Sequence, residues 1–263
     1  MLQMDGIFFR QPLLIIALML FVLLLAGEQA GRWLRQRVGS KNTLEGAELL
    51  DFGYILTSVF GLLGLLIAFT FSLALDRYEA RRDLVVQEAN AIGTAHIRAT
   101  FASEPVRSEL RVSLESYAAN RLDYGRANQV QKLAISHKSS EMRSRLAEIG
   151  VAASLTVPLA PLAPSLISSI NNVIDVGSER EAINLAHVPS SVILLLFSYA
   201  GVSALVLGFS QPLTGRSNRV ANGLLYILLA LAMIMILDLD RPATGTIIIS
   251  QAPMAELIGS FSH

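Results

Sequence analysis

The sequence predicts an all-α membrane protein: four transmembrane helices, with a helical soluble insertion between the second and the third. Three observations lead there. Four runs are apolar over the roughly 20 residues a helix needs to cross a bilayer. The stretch between the second and third runs has helical periodicity but no segment that could span. The 263 residues are 52% hydrophobic and only 16% charged, and mean hydropathy is +0.51, with the apolar bias concentrated in the runs rather than spread as in a soluble core. The expected spans are about 7–27, 51–75, 190–209 and 220–238. The chain then divides into 1–75 (helices 1 and 2), 76–188 (helical extramembrane domain), 189–241 (helices 3 and 4) and a C-terminal tail, 242–263.

Taken in order, the first run is LLIIALMLFVLLLA at 13–26, extended backwards by Ile7, Phe8 and Phe9. It is long for the apolar region of a signal peptide, and Arg32, Arg35 and Arg37 follow as they do behind a retained anchor. Residues 28–49 read as a connector with a turn at Gly39-Ser40-Lys41-Asn42. From 51 to 98 there is no proline, so one helix is expected to leave the membrane near Asp76 and open the soluble domain. Glu104-Pro105 restarts the chain. Residues 106–124 set Leu110, Val112, Leu114, Tyr117 and Leu122 around an amphipathic helix, and 127–150 form another, closed by Gly150 as a C-cap. Pro158, Pro161 and Pro164 interrupt, and 165–187 reads as a last helix leading back to the membrane. The insertion holds 13 acidic and 13 basic residues, which suits a solvated bundle. After spans three and four, the tail contains a β-prone Thr246-Ile-Ile-Ile249 and a short helix beginning near Ser250.

The second span has an unusual face. Gly53, Thr57, Gly61, Gly64, Ala68 and Ser72 recur at steps of three or four and share one side of the helix. In lipid, small residues let backbones approach closely. The stripe is either a seam against other helices of the same chain or a face turned to an axis shared between subunits.

Catalytic chemistry has little to stand on. There are no cysteines, which excludes disulfides, thiolate metal sites and cysteine nucleophiles. His96, His137, His187 and His263 lie far apart, without metal-ligand spacing, and no phosphate loop or nucleophile elbow occurs. No enzyme, cofactor or metal is expected, and a net charge of zero argues against nucleic acid. The charges beside the spans say more. Asp76, Arg77, Glu79, Arg81 and Arg82 follow span two, and Asp238, Asp240 and Arg241 end span four. Both spans leave the membrane on one side, so these residues are expected to form a juxtamembrane collar of ion pairs. Charges at membrane depth usually pair or line polar cavities.

The residues just named belong to a wider set: LLIAFTFS at 65–72, Arg77, EARR at 79–82, EANAIGTA at 88–95, NRVAN at 218–222, DLDRP at 238–242, Gly245 and Ser250-Gln251. Over nearly the whole chain this resembles the bacterial bestrophin-like membrane protein family, which implies a multi-pass protein of the bacterial plasma (inner) membrane. A looser similarity links it to bestrophins, pentameric anion channels with four membrane helices per subunit. Their second helix lines the pore, forms an apolar neck and ends in an Arg-aromatic pair. AFTFSLALDRY at 68–78 is similar to that stretch. The resemblance puts Gly61, Leu65 and Phe69 at the pore-lining neck positions, with Arg77-Tyr78 after them. Gly61 stands where a bulky residue would be, implying a wider neck, and the acidic run of the bestrophin calcium clasp is missing after span four.

The first functional reading is therefore a homo-oligomeric channel (a pentamer by resemblance) in a lipid bilayer, passing small ions along span two. The second is a non-conducting scaffold or sensor whose helical domain binds a partner protein. An intramembrane enzyme comes third, for want of a catalytic constellation. Short loops at 28–49 and 210–219 hold four and two Lys/Arg residues. The positive-inside rule puts them in the cytoplasm, with both termini and the 76–188 domain outside.

Overall fold

The computed structural model describes residues 11–38, 46–211, 219–241 and 245–261. The described residues form helices and connecting turns, and four helices are long and apolar enough to cross a membrane. Helix α1 spans Leu13–Val38 and ends in Arg35 and Arg37, which complement its carbonyl end. Helix α2 runs unbroken over Gly46–Arg98, about 80 Å at 1.5 Å per residue. A 3-10 turn at Ala99–Phe101 and a cis bond before Pro105 lead to α3, Val106–Arg126. Helix α4 is Gln129–Leu155, α5 Ala163–Leu185, α6 Ser190–Ser210, α7 Arg219–Leu239 and α8 Ala252–Ser260.

Local chemistry accounts for the starts. Asn128 Oδ1 accepts from the N–H of Val130 (3.1 Å) and Gln131 (3.0 Å), while Gln131 Oε1 accepts from the Asn128 N–H. This capping box opens α4. Prolines sit in the first turns of α5 and α8, where the missing N–H has no helical partner to lose.

The chain divides into two compact units, with the division inside α2 after Asp76. One is Met1–Asp76 with Val188–Arg241; the other is Arg77–His187 with Pro242–His263. The membrane unit is built on α1, the first half of α2, α6 and α7, around Leu20, Leu24, Leu63, Ala200, Ala204 and Tyr226. The second unit, the one expected to be extramembrane and called the soluble unit on that expectation, gathers the second half of α2 with α3, α4, α5 and α8. Its core includes Ile92, Leu110, Leu114, Leu146, Val173 and Met254.

Several expectations need correction. Residues 28–38 are not connector but helix, because Glu28, Arg32 and Arg35 share a face that packs inside the membrane unit. The turn expected at 39–42 and the backward extension through 7–9 lie outside the described residues. Gly150 does not end its helix. It lies within α4, where an added Cβ would come 2.7 Å from Ile170 Cδ1, so it permits close packing on α5. The β-prone 246–249 stretch is irregular, with no neighbouring strand among the described residues to pair with. The short helix expected near Ser250 is present as α8, which packs on α3 with Met254 fully buried in the core of its unit.

Candidate functional site

The membrane half of α2 is two-sided. Leu63, Thr70 and Ala74 are buried, and Leu56, Phe60, Leu66 and Ile67 are partly so. The opposite side is bare. Leu65 is 50% exposed and Phe69 66% exposed. Around Gly53, Gly61 and Gly64 an added Cβ would meet nothing within 4 Å. Thr57, Ala68 and Ser72 are exposed as well, and the Thr57 hydroxyl turns back to donate to the Gly53 carbonyl at 2.9 Å. Among the described residues the stripe is therefore not a seam against other helices of its own chain. Of the four span-like windows, that of α2 is the least buried, at 17%.

The seam that does exist was missed in the sequence. Gly27 and Gly31 of α1 lie against α6, where an added Cβ would come 2.7 Å from the Gly201 carbonyl oxygen and 2.0 Å from that of Leu205. On α6, one at Gly208 would come 2.0 Å from the Glu28 oxygen. Beside this seam sits a buried polar cluster. Glu28 accepts from Arg32 and, at 2.9 Å, from Asn222 Nδ2 on α7. Arg35 donates to the Phe209 carbonyl at 2.9 Å, capping the end of α6. The glycine spacing at 27 and 31 was the available signal.

Of the expected collar, Asp76 is exposed and Arg77 half-buried. Arg81 is 1% exposed and belongs to the soluble unit, where it donates to the carbonyls of Ile183 (3.4 Å) and Ala186 (2.6 Å) at the C-terminus of α5. In the membrane unit Asp238, Asp240 and Arg241 are all buried. Asp240 Oδ2 accepts from the Val188 N–H at 2.9 Å just before α6, and Arg241 donates to the Gln11 carbonyl at 2.8 Å. Arg81 thus holds the end of α5, Asp240 the start of α6 and Arg241 the segment before α1. His96 Nε2 lies 2.9 Å from Glu115 Oε1, and its ring packs against Phe261.

The soluble unit contains a charge cluster that sequence periodicity did not disclose. Glu88 is fully buried and accepts from Arg121 Nε at 2.6 Å, from Arg180 and, at 3.3 Å, from the Tyr117 hydroxyl. Glu181 takes Arg121 and Arg143 at 2.7 and 2.8 Å, together with the Ser136 hydroxyl. Gly177 makes room, since a Cβ there would come 2.2 Å from the Tyr117 oxygen. Burial and the Glu88 charge push the Tyr117 hydroxyl up to about 12. Burial alone would raise Glu181, but the bonds from Arg143 and Ser136 and the Arg121 charge hold its carboxyl below the usual range. In the sequence only two members stand out, Tyr117 as a residue of the amphipathic 106–124 pattern and Glu88 in EANAIGTA for its motif rather than its charge.

A family model described as Bestrophin-like domain matches residues 17–254. No curated protein matches the chain. Among solved structures, a bacterial bestrophin homologue from Klebsiella pneumoniae superposes with a TM-score of 0.62 at 12% identity, covering 94% of this chain and 96% of that one. A form of that homologue with a point mutation gives 0.64 at 12% identity over 95% and 97% of the two chains. A second such form gives 0.60 at 13% over 96% and 100%. At these identities the likeness establishes the fold.

Proposed function

The chain belongs to the bestrophin-like family, and on that premise we propose that it is a homo-oligomeric membrane channel for small ions, with α2 lining the pore. The observation that supports this reading is the bare side of α2. A span-length helix leaves its small residues, Leu65 and Phe69 exposed among the described residues, and neighbouring copies around a shared axis would cover that side. Gly61, Leu65 and Phe69 then stack as successive rings of an apolar neck, and such constrictions gate by dewetting. Gly61 has no side chain with which to close the passage, so Leu65 and Phe69 form the gate. In the membrane unit Asp240 and Arg241 hold the start of α6 and the segment before α1, with Asp238 beside them and Asp76 at the end of the membrane half of α2, and in the soluble unit Arg81 holds the end of α5, with Arg77 one turn before it. The protein lies in the bacterial plasma membrane with its soluble unit outside, as the Lys/Arg bias indicates. Phosphatase and fluorescent-protein fusions at the C-terminus test that orientation: a fluorescent, phosphatase-inactive fusion reverses it.

The test of the channel is ion flux from liposomes holding purified protein. Leu65→Ser or Phe69→Ser should wet the neck and raise basal flux while the oligomer stays intact. Silent liposomes for wild type and both variants, with intact oligomers, would overturn the channel reading in favour of a scaffold.

A further inference from the structure

The outward face of α1 changes character along its length. Leu18, Val22 and Leu25 are exposed on the membrane unit, and Gln29, Trp33 and Arg37 follow on the same side at helical steps, exposed as well. The helix begins at Leu13, and from there to Trp33 it rises about 30 Å at 1.5 Å per residue. That is the thickness of the hydrocarbon core of a bilayer. Trp33 therefore falls at the interface, where tryptophan is favoured. Arg37 lies one turn further out, by about 6 Å, at the depth of the lipid headgroups. Its guanidinium stacks over the Trp33 ring, 3.8 Å from the centroid.

The neighbouring polar groups turn inward. Glu28 is buried against Arg32 and Asn222, and Arg35 donates to the Phe209 carbonyl. Arg37 faces out and makes no ion pair among the described residues. The same holds for Arg219, exposed where α7 begins. The bond from Asn222 to Glu28, about one turn into α7, puts that start at the same end of the unit as the end of α1. Two arginines thus face the headgroup layer, one of them braced on an exposed indole. Stacking on the indole holds a guanidinium in place while leaving its edge N–H groups free to donate.

We propose that this end of the membrane unit binds anionic phospholipid, with Arg37 donating to the headgroup phosphate and the Trp33 indole lying over the glycerol region. The fork of N–H donors on a guanidinium matches phosphate oxygens. A surface cation gains most from a lipid of net negative charge, because the ammonium of a zwitterionic headgroup offsets its own phosphate. The binding face lies wholly in the membrane unit and stands whether or not α2 lines a pore.

Trp33 is the single tryptophan of the chain, so its fluorescence reads this site. The purified full-length protein is reconstituted into vesicles of phosphatidylcholine and phosphatidylglycerol, one of the two lipids carrying chains brominated near the glycerol. Bromine quenches the indole on contact, and the two quenching curves give the relative binding of the lipids. Phosphatidylglycerol should be preferred about fivefold at low ionic strength, the ratio given by about 1 kcal/mol for a cation near an anionic surface. The preference should fall towards equality in about 1 M sodium chloride, where the Debye length is about 3 Å. At low salt Arg37→Gln should lose it, and Arg145→Gln, at an exposed site on α4, should keep it. The salt dependence of wild type keeps the test decisive if Arg37→Gln folds poorly. Sodium phosphate in place of sodium chloride at equal ionic strength should leave the ratio unchanged, and a drop would mean that free phosphate, not a lipid, is the ligand. Equal quenching by the two lipids, a preference indifferent to salt or retained in Arg37→Gln, or no quenching by either lipid, as when another copy covers Trp33, would each overturn the site.

Discussion

Two ladders of small residues run along this chain's membrane helices, and they have opposite fates. On α1 and α6, Gly27, Gly31 and Gly208 sit so near a neighbouring backbone that an added Cβ would come 2.0–2.7 Å from a carbonyl oxygen. On α2, Gly53, Gly61 and Gly64 face open space in the single chain. In lipid, helices gain little from apolar burial and associate through packing contacts that small residues make possible. The first ladder is used up inside the chain. The second is available to whatever covers α2. Small-residue spacing therefore marks a helix face fit for close approach, and only the tertiary structure says whether the approaching partner belongs to the same chain.

The largest effect is expected where the ladder is closed. Gly31→Ala drives a methyl into the Leu205 carbonyl, a backbone atom that cannot rotate away. The loss of stability should lie at the top of the usual range for overpacking, about 3 kcal/mol. Denaturant unfolding in detergent would show it, and a wild-type midpoint would break the contrast at its strongest point.

An intermediate effect is expected at the charged end of α7. Asp238 is 5% exposed, and its removal strips partners from a buried site, costing about 1–3 kcal/mol. Glu141, exposed on α4, is the control and should change stability by less than about 0.5 kcal/mol on removal. Equal melting temperatures for Asp238→Ala and Glu141→Ala would show that burial at the span end confers no stability.

The smallest effect on the subunit fold belongs to the open ladder. Gly64→Ala adds a methyl where nothing lies within 4 Å, so subunit stability should stay within about 0.5 kcal/mol. If neighbouring copies cover that face, the methyl acts on assembly instead, and the oligomer should dissociate at lower detergent dilution than wild type. A Gly64→Ala subunit as unstable as Gly31→Ala would erase the difference between the ladders.

Much of this protein could be read from the sequence because the governing forces are local or periodic. A bilayer admits helices whose length matches its thickness, so four apolar runs determined four spans. The absence of proline from 51 to 98 determined one continuous α2, and motifs spread over 65–251 determined the family. Three features depended on tertiary structure. Gly150 has the residue type of a C-cap, yet α4 continues through it, because a glycine in a helix can serve a close neighbour as well as a turn. Glu28, Arg32 and Arg35 have the composition of a connector, yet they form a helix face whose polar atoms find Asn222 and the Phe209 carbonyl, partners far away in the sequence. The cluster of Glu88, Arg121, Arg180 and Glu181 spans 94 residues of chain from first member to last. The sequence alone determined which segments are helical and which of them are apolar enough for lipid. Tertiary structure decided which charges meet and which glycines are covered, since both depend on distances between segments that no local pattern encodes.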